Sequence, residues 1–126
     1  MRKLPYLNNN FDKIFCVWSS FNHLFTPKDQ IISINQCYRV LKPKGVAFFE
    51  MINGERKEIL KKSREYGKGA KGSRIYGPEF FGRRLDNYIH SRKTLIELCK
   101  RSKFKKYTVG FCNVSKRRRL VVYLYK

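Results

Sequence analysis

Two short apolar runs separated by polar segments dominate the first half of the chain. The run at residues 14–18 follows the polar turn NNNFDK, and a second run at residues 46–52 is bounded by a turn on each side. Continuous apolar runs of this length are typical of strands buried on both faces, as in a parallel sheet. The pattern therefore predicts two central strands, the first of them over residues 11–18.

A helix is predicted between these two strands. Thr26 can cap its first turn, and Pro27 suits its first position. One apolar face at helical spacing follows: Ile31, Ile34, Tyr38 and Leu41. Pro43 and Gly45 are expected to end the helix. Because strand, helix and strand in succession form a βαβ crossover, the two strands should be parallel.

The second half of the chain predicts two helices and a hairpin. Residues 55–66, ERKEILKKSREY, suit an exposed helix, and a Gly-rich basic loop at residues 67–82 follows. Ser91 can cap a further helix whose apolar stripe comprises Leu95, Leu98 and Cys99. The segments FKKYTVGFC and RLVVYLYK, joined by the polar NVSKRR, predict an antiparallel hairpin.

Composition indicates one folded domain. The chain has 126 residues, of which 42% are hydrophobic and 15% aromatic, so a sizeable core is expected. We find no apolar run long enough to span a membrane and no signal-peptide pattern. The four cysteines form no CxxC pair, which indicates reduced, mostly buried thiols and a cytoplasmic protein.

The charge is high and uneven. Twenty-nine Lys and Arg against nine Asp and Glu give +20, and residues 51–126 carry 22 of the basic and six of the acidic groups. Such a field attracts polyanions such as RNA or DNA and opposes self-association. A compositional bias toward Lys, Ile, Asn and Tyr explains the same numbers, and the sequence leaves both explanations open.

Several short motifs carry little weight by themselves. The GKGAKG of residues 67–72 matches G-x-G-x-x-G, but it neither follows a strand nor opens a helix, so a flexible basic loop is the better interpretation. The SKRRR of residues 115–119 suits a solvated turn or a phosphate contact. His23 and His90 lack partners at metal-ligand spacing, so no metal site is predicted. No Ser/His/Asp or Cys/His signature identifies a catalytic group.

One series of motifs spans most of the chain. It comprises Leu4-Pro5-Tyr6, Phe11-Asp12, His23 and the RVLKPKG of residues 39–45, in this order. The series resembles the second half of class I S-adenosylmethionine-dependent methyltransferases of the type 11-like group, with Lys44 in place of the usual first glycine. The segment YIHSRKTLIELCKRSKF is similar to the late part of that family, where Lys103-Phe104 stands for Gly-Phe.

The resemblance implies an α/β fold, the C-terminal half of a Rossmann-like seven-stranded sheet. The chain would hold strands in the order 4-5-7-6, with the last strand antiparallel, while the N-terminal half is missing. Its glycine loop and acidic cofactor ligand would precede residue 1, which explains why a central strand arrives so early. Residues 1–126 are then one partial domain: a βαβ unit over 1–54, a basic helix and Gly-rich loop over 55–85, and a helix and hairpin over 86–126.

The function that the resemblance implies is transfer of a methyl group from S-adenosylmethionine. The acceptor, a small molecule or RNA, is left open, and this chain alone is expected to be inactive and to bind the cofactor weakly or not at all. The alternative is a noncatalytic basic α/β module that binds RNA or another polyanion. The exposed strand at residues 11–18 is expected to pair with a second copy or with the missing half.

Candidate site residues follow from the resemblance and from the general rule that ligands bind beyond the carboxyl ends of parallel strands. The residues expected to face the cofactor are Met1, Leu4, Val17, Trp18, Ser19 and Ser20. Those expected on the acceptor side are His23, Asn53, Tyr76, Phe80 and Tyr88. For Trp18 and Phe21, a place in the hydrophobic core is the competing interpretation.

Overall fold

The computed structural model describes residues 2–65, 75–76, 79–84 and 86–126. A four-residue 3₁₀ turn (Ser20–His23) follows the first strand. The three α-helices are α1 (Pro27–Val40), α2 (Lys57–Glu65) and α3 (Arg92–Lys100). The strands are β1 (Phe11–Cys16), β2 (Leu41–Met51), β3 (Ile75–Tyr76), β4 (Glu79–Phe80), β5 (Arg83–Arg84), β6 (Asn87–Tyr88), β7 (Lys106–Val114) and β8 (Arg117–Tyr125). Within the described ranges, no helix has the length and apolarity needed to cross a bilayer.

A four-stranded mixed sheet organises the fold, with the strand order β1-β2-β8-β7. Strands β1 and β2 are parallel, whereas β8 is antiparallel to both β2 and β7. The predicted parallel pairing, the hairpin in the same sheet and the antiparallel last strand are therefore confirmed. The numbering of these strands as members of a longer sheet stays a prediction.

The core lies between one face of this sheet and the helices α1 and α3. Alternate residues of the central strands point into it, among them Ala47, Phe49, Leu120, Val122 and Leu124. The helices contribute the side chains Ile34, Cys37, Leu95, Leu98 and Cys99. Because each fully buried large side chain contributes about 1.5–3 kcal/mol, this layer holds the sheet and helices together.

The opposite face of the sheet is open and carries a row of aromatic rings. Phe15 on β1, Phe48 on β2 and Tyr123 on β8 stand side by side, with ring centroids 6.2 and 4.9 Å apart. Phe15 is 67% exposed. The prediction that residues 14–18 are buried on both faces is therefore wrong, because among the described residues α1 and α3 pack against the other face and leave Phe15 uncovered.

The predicted helix caps are present. The Thr26 hydroxyl accepts the Asp29 N–H at 3.0 Å at the start of α1, and Ser91 forms a capping box with Thr94 at the start of α3. Helix α1 ends at Val40, and strand β2 begins at once, before the predicted turn at Pro43 and Gly45. That turn appears instead as a bulge within β2, where the pairing of β1 with β2 shifts register.

The second half differs from the predictions in detail. Helix α2 begins at Lys57, two residues later than predicted. The predicted loop at residues 67–82 contains β3 and β4, which pair with β6 and β5. The GKGAKG motif lies outside the described residues. Ser115 and Lys116 alone form the turn of the β7–β8 hairpin, with φ of 47° and 63°. Both strands therefore extend two residues further into the predicted loop, β7 to Val114 and β8 from Arg117.

Candidate functional site at the carboxyl ends of β1 and β2

The carboxyl ends of the two parallel strands lie side by side, and the segments that follow them meet there. Residues 17–23 leave β1, and residues 52–54 leave β2. Crevices of this kind are where open α/β sheets bind ligands. Segment 17–20 and the 3₁₀ turn after it form one side, and the short strand β6 with the residues before α3 forms the other.

The backbone of segment 17–20 is strained. Trp18 and Ser19 have φ of 57° and 61°, a left-handed conformation that costs a non-glycine residue about 1–2 kcal/mol. The carbonyl of Val17 accepts both the N–H and the hydroxyl of Ser20, at 3.2 and 2.8 Å. This tight turn leaves the Trp18 side chain 84% exposed. Strain of this kind is found at functional sites, where surrounding contacts maintain it.

An ion pair on the open face of the sheet supplies those contacts. Glu50 on β2 accepts the Trp18 N–H at 2.8 Å and pairs with the Arg119 guanidinium of β8. Arg119 also donates to the Ser19 hydroxyl. The side chains of Arg119 and Glu50 are only 15% and 10% exposed, so the pair is largely desolvated. The central strands thus hold segment 17–20 in place.

Asn22 fastens the 3₁₀ turn to both sides of the crevice. Its fully buried side chain donates to the Tyr88 carbonyl at 2.5 Å and accepts the Ile52 N–H at 3.1 Å. Next to it, the buried Phe21 packs edge-on against Phe49, with ring centroids 5.1 Å apart. Phe21 is therefore a core residue, whereas the exposed Trp18 is not.

His90 lies beneath this turn as a buried imidazole. Its ring is 2% exposed and stacks against Phe21 and Tyr88, with centroids 6.0 and 4.7 Å away. Nδ1 is 3.5 Å from the Thr94 hydroxyl, and Nε2 has no hydrogen-bond partner among the described residues. Burial lowers the pKa of His90 to about 4, so the ring is neutral at pH 7.

The remaining predicted acceptor-side residues surround the same crevice. His23 is exposed, and its Nδ1 is 3.2 Å from the Asp86 carbonyl. Asn53 is buried, with its side-chain oxygen accepting the Glu55 N–H at 2.9 Å. Tyr88 is partly buried, and burial raises the pKa of its phenol, which stays protonated.

The structure thus brings together most, but not all, of the predicted positions. Val17, Trp18, Ser19 and Ser20 share the crevice with His23, Asn53 and Tyr88. Leu4 lies elsewhere, against α1, and lines a basic cavity of about 650 Å³. Met1 lies outside the described residues, as do the side chains of Tyr76 and Phe80.

Sequence reasoning missed four residues that build this site: Asn22, Glu50, His90 and Arg119. Glu50 left a signal, since it is the acidic residue within an otherwise apolar strand, VAFFEMI. Arg119 left none, because its partners Glu50 and Ser19 lie far away along the chain. His90 left none, because its burial depends on the distant Phe21 as well as on its neighbour Tyr88.

Comparison with known proteins agrees with this architecture. The sequence model of a family described as a methyltransferase domain matches residues 1–49. None of the curated proteins with which the sequence was compared matches it.

Solved structures with the same fold are numerous. A Pyrococcus horikoshii protein superposes with a TM-score of 0.68 at 23% identity, covering 99% of this chain and 56% of its own. A SAM-dependent methyltransferase of Methanosarcina mazei gives 0.67 at 16% identity, covering 98% and 61%. A Burkholderia thailandensis 1,6-didemethyltoxoflavin-N1-methyltransferase, solved with S-adenosylhomocysteine, gives 0.63 at 16% identity, covering 99% and 47%.

The mixed sheet, the crevice and the superpositions define the fold of a class I α/β methyltransferase domain. The resemblance to the S-adenosylmethionine-dependent methyltransferases is therefore confirmed, and S-adenosylmethionine is the cofactor that it implies. The chain spans between 47% and 61% of the length of these three neighbours.

The described residues do not by themselves fit this cofactor. S-adenosylmethionine presents an ammonium, a carboxylate, a sulfonium and a ribose diol, which together need several polar partners. At the end of β1, both Glu50 oxygens and the Ser19 hydroxyl are already engaged by Arg119 and the Trp18 N–H. Val17 and Trp18 offer an exposed apolar wall but not a set of polar partners.

Proposed function

We propose that this chain supplies the acceptor side of an S-adenosylmethionine-dependent methyltransferase, and that a further polypeptide segment along β1 completes the cofactor site. The observation that carries the proposal is the parallel pair β1 and β2, with a strained segment clamped at its carboxyl end, in the fold of known methyltransferases. Alone, the chain is inactive and binds the cofactor weakly. The comparisons do not favour a noncatalytic basic module.

The position of β1 supports the need for a further segment. Among the described strands, β2 is its one partner, and its exposed Phe15 ring lies beside the outer edge. An edge strand of this kind is a template for pairing with another strand. The neighbours that share the fold are about twice as long as the part matched here, which leaves room for such a segment in an active enzyme.

Within the proposed enzyme, the crevice residues divide by position. Val17, Trp18, Ser19 and Ser20 border the methionine end of the cofactor, with the Trp18 ring as a wall. His23, Asn53 and Tyr88 face the acceptor, whose identity as a small molecule or RNA stays open. Enzymes of this class act mainly by positioning the two reactants and excluding water. The clamp formed by Glu50 and Arg119 serves that positioning, because it fixes the backbone from which the Trp18 ring projects.

The single tryptophan makes the proposal testable by fluorescence. The complement is the part of the Pyrococcus horikoshii protein that has no counterpart in this chain, joined to it in one polypeptide. We expect S-adenosylhomocysteine to change Trp18 emission saturably in the joined protein and not in the 126-residue chain.

A matched variant tests whether the change in emission comes from a tryptophan at position 18. W18F combined with Y123W moves the tryptophan to the open face of the sheet, and its emission should not respond to the ligand even though calorimetry still detects binding. An equal response from both tryptophan positions would contradict the placement of Trp18 at the cofactor. A joined protein that is folded but does not bind would contradict the proposed function.

A further inference from the structure

A second concave site lies at the amino end of β2, away from the crevice. Its volume is about 440 Å³, and five lysines with two tyrosines line it. These five residues, named here the lysine cradle, are Lys44, Lys103, Lys105, Lys106 and Lys126. The tyrosines are Tyr38 of α1 and Tyr125 of β8. Because β8 is antiparallel to β2, the end of β8 meets the beginning of β2 at this site.

The lysines of the cradle form no ion pair with any carboxylate in the described part of the chain. Within the described part of the chain, the ion pairs join Arg2 to Asp29, Lys42 to Asp12, Arg56 to Glu58 and Arg119 to Glu50. None of them includes a cradle lysine. Five lysines thus surround one cavity without an ion pair to a described carboxylate. Like charges so close together raise the free energy of the empty site and favour a multiply charged anion.

The surrounding structure holds the cradle in place. Lys126 Nζ donates to the Asn9 side chain and the Leu41 carbonyl at 2.8 and 2.6 Å, and it lies 4.7 Å above the Tyr38 ring centroid. The backbone N–H of Lys103 donates to the Asn35 side chain at 2.8 Å. Lys126 is therefore held in place by its side chain and Lys103 by its backbone. Lys106 Nζ lies 5.5 Å from the Tyr125 ring centroid, so ammonium groups cover both tyrosine rings that a nucleobase could otherwise stack upon.

Lys44 occupies a conformation that disfavours lysine. Its φ is +67°, in the left-handed region where glycine is free of strain. Two backbone hydrogen bonds fix it there: Lys44 N–H to the Lys126 carbonyl, and Lys126 N–H to the Gly45 carbonyl, both at 3.0 Å. The chain thus retains a strained lysine at the rim of a basic cavity, which is the kind of outlier from which a function is inferred.

We propose that the lysine cradle binds linked phosphate groups. Lysine ammoniums bind phosphate as point charges, and several of them around one cavity suit adjacent phosphates better than a single one. The cavity volume lies within the range of small-ligand sites. The source of the phosphates is a free polyphosphate chain or the backbone of a nucleic acid. This site is separate from the proposed methyl-transfer crevice and does not depend on it.

Inorganic triphosphate is the probe, titrated calorimetrically into the 126-residue chain at low and at physiological salt. The variant K44Q/K103Q/K106Q removes three cradle charges. The control K13Q/K28Q/K93Q removes three charges from exposed lysines outside the cradle. The two variants therefore have the same net charge as each other. We expect the cradle variant to lose about tenfold or more in triphosphate affinity, and the control to lose less than about threefold.

The variant K44G separates loss of binding from loss of stability, because melting temperature and triphosphate affinity should change in opposite directions. Glycine relieves the backbone strain, so the melting temperature should rise by a few degrees while triphosphate affinity falls. A lower affinity that merely follows from unfolding would come with a lower melting temperature, and that outcome would overturn the proposal.

A twelve-nucleotide single strand identifies the source of the phosphates. Competition with triphosphate in the wild type but not in the cradle variant supports the proposal with a nucleic-acid backbone as ligand. Triphosphate binding without competition supports it with a free polyphosphate as ligand. Equal losses in the cradle and control variants, or no triphosphate binding at low salt, would overturn it.

Discussion

At the scale of single residues, His90 is a titratable group buried in a largely apolar environment. It lies between Phe21 and Tyr88, and its Nε2 has no partner among the described residues. Protonating this ring would place a charge in an apolar space, which is why its pKa falls to about 4 from 6.5.

This shift makes stability depend on pH in a defined window. Because the pKa of His90 is lower in the folded than in the unfolded state, the unfolded chain binds the proton first as pH falls below about 6.5. The contribution of neutral His90 to the free energy of unfolding is complete above that pH. It is lost as the pH falls toward 4, and the loss is at most about 3 kcal/mol. Urea unfolding of wild type and His90→Phe at pH 7, 5.5 and 4.5 measures it.

The expected result is a wild-type stability that falls relative to His90→Phe as the pH is lowered. The control is His23→Asn, which replaces the exposed histidine. Its stability should fall with pH as much as that of the wild type. Parallel losses in wild type and His90→Phe would show that His90 does not sense pH in this window.

The sequence predicted residue roles well where they depend on neighbours along the chain. The caps Thr26 and Ser91 act on N–H groups three residues away, so local spacing was enough. It did not predict which members of an apolar run are buried. Trp18 is exposed and Phe21 is buried because the chain turns at the left-handed residues Trp18 and Ser19. Contacts with Glu50 and Arg119, distant in sequence, hold that turn.

At the scale of elements, three parts of the chain meet in one ion pair. Glu50 belongs to β2, Arg119 to β8, and both hold the segment that follows β1. Since the side chains are largely buried, each charge depends on the other.

Removing only the arginine charge should therefore destabilise the protein more than removing both charges of the pair. We expect Arg119→Met to lower the free energy of unfolding by about 2–4 kcal/mol, because it leaves the Glu50 carboxylate buried without a cation. The double variant E50Q/R119M should recover a large part of that loss. Arg117→Met, at an exposed neighbour in the same strand, is the control and should stay within about 0.5 kcal/mol of wild type.

Denaturant unfolding of these three variants and of the single variant E50Q measures how strongly the two charges are coupled. A double variant that is as unstable as the sum of its single substitutions would mean that the two charges act independently. Trp18 emission should also change in Arg119→Met, since Glu50 and Arg119 position its backbone.

Element predictions succeeded where periodicity was clear. Strand, helix and strand alternated strongly enough to predict both the βαβ unit and its parallel pairing, which the register of β1 with β2 confirms. The bulge at Lys42 to Gly45 was not predictable, because it depends on pairing with β1, about 30 residues earlier in the chain. The ladders β3–β6 and β4–β5 were not predictable because each strand has only two residues, too few for an alternating pattern.

At the scale of the whole molecule, a net charge of +20 opposes the association of copies, while the open edge and aromatic face favour it. Salt screens the repulsion over about 8 Å near physiological ionic strength but leaves strand pairing intact. We expect a monomer at low salt and dimers or larger species as salt is added. Sedimentation across a salt series measures this.

A matched pair of variants separates the edge from the face. Phe15→Lys adds a charge at the edge strand and should suppress association at high salt, whereas Tyr123→Lys adds the same charge on β8, within the sheet. A monomer at every salt concentration, with the amides of residues 11–16 protected from exchange, would mean that the edge is covered.

The order of the strands in the sheet was predicted from a series of motifs and not from hydrophobic periodicity. Hydrophobic patterning alone predicts that strands exist, but not that β8 lies between β2 and β7. The methyltransferase-like motifs supplied that order, and the observed pairings agree with it. The lysine cradle at the amino end of β2 had no motif, because its lysines come from three separate segments of the chain.

The claim that the cofactor site needs more than these 126 residues is tested most directly by calorimetric titration of the purified chain with S-adenosylmethionine. Each charge-assisted hydrogen bond that the cofactor lacks removes about 1.5–3 kcal/mol, so several together leave little affinity. We predict no saturable heat at micromolar cofactor. Saturable micromolar binding by the chain alone would contradict the account.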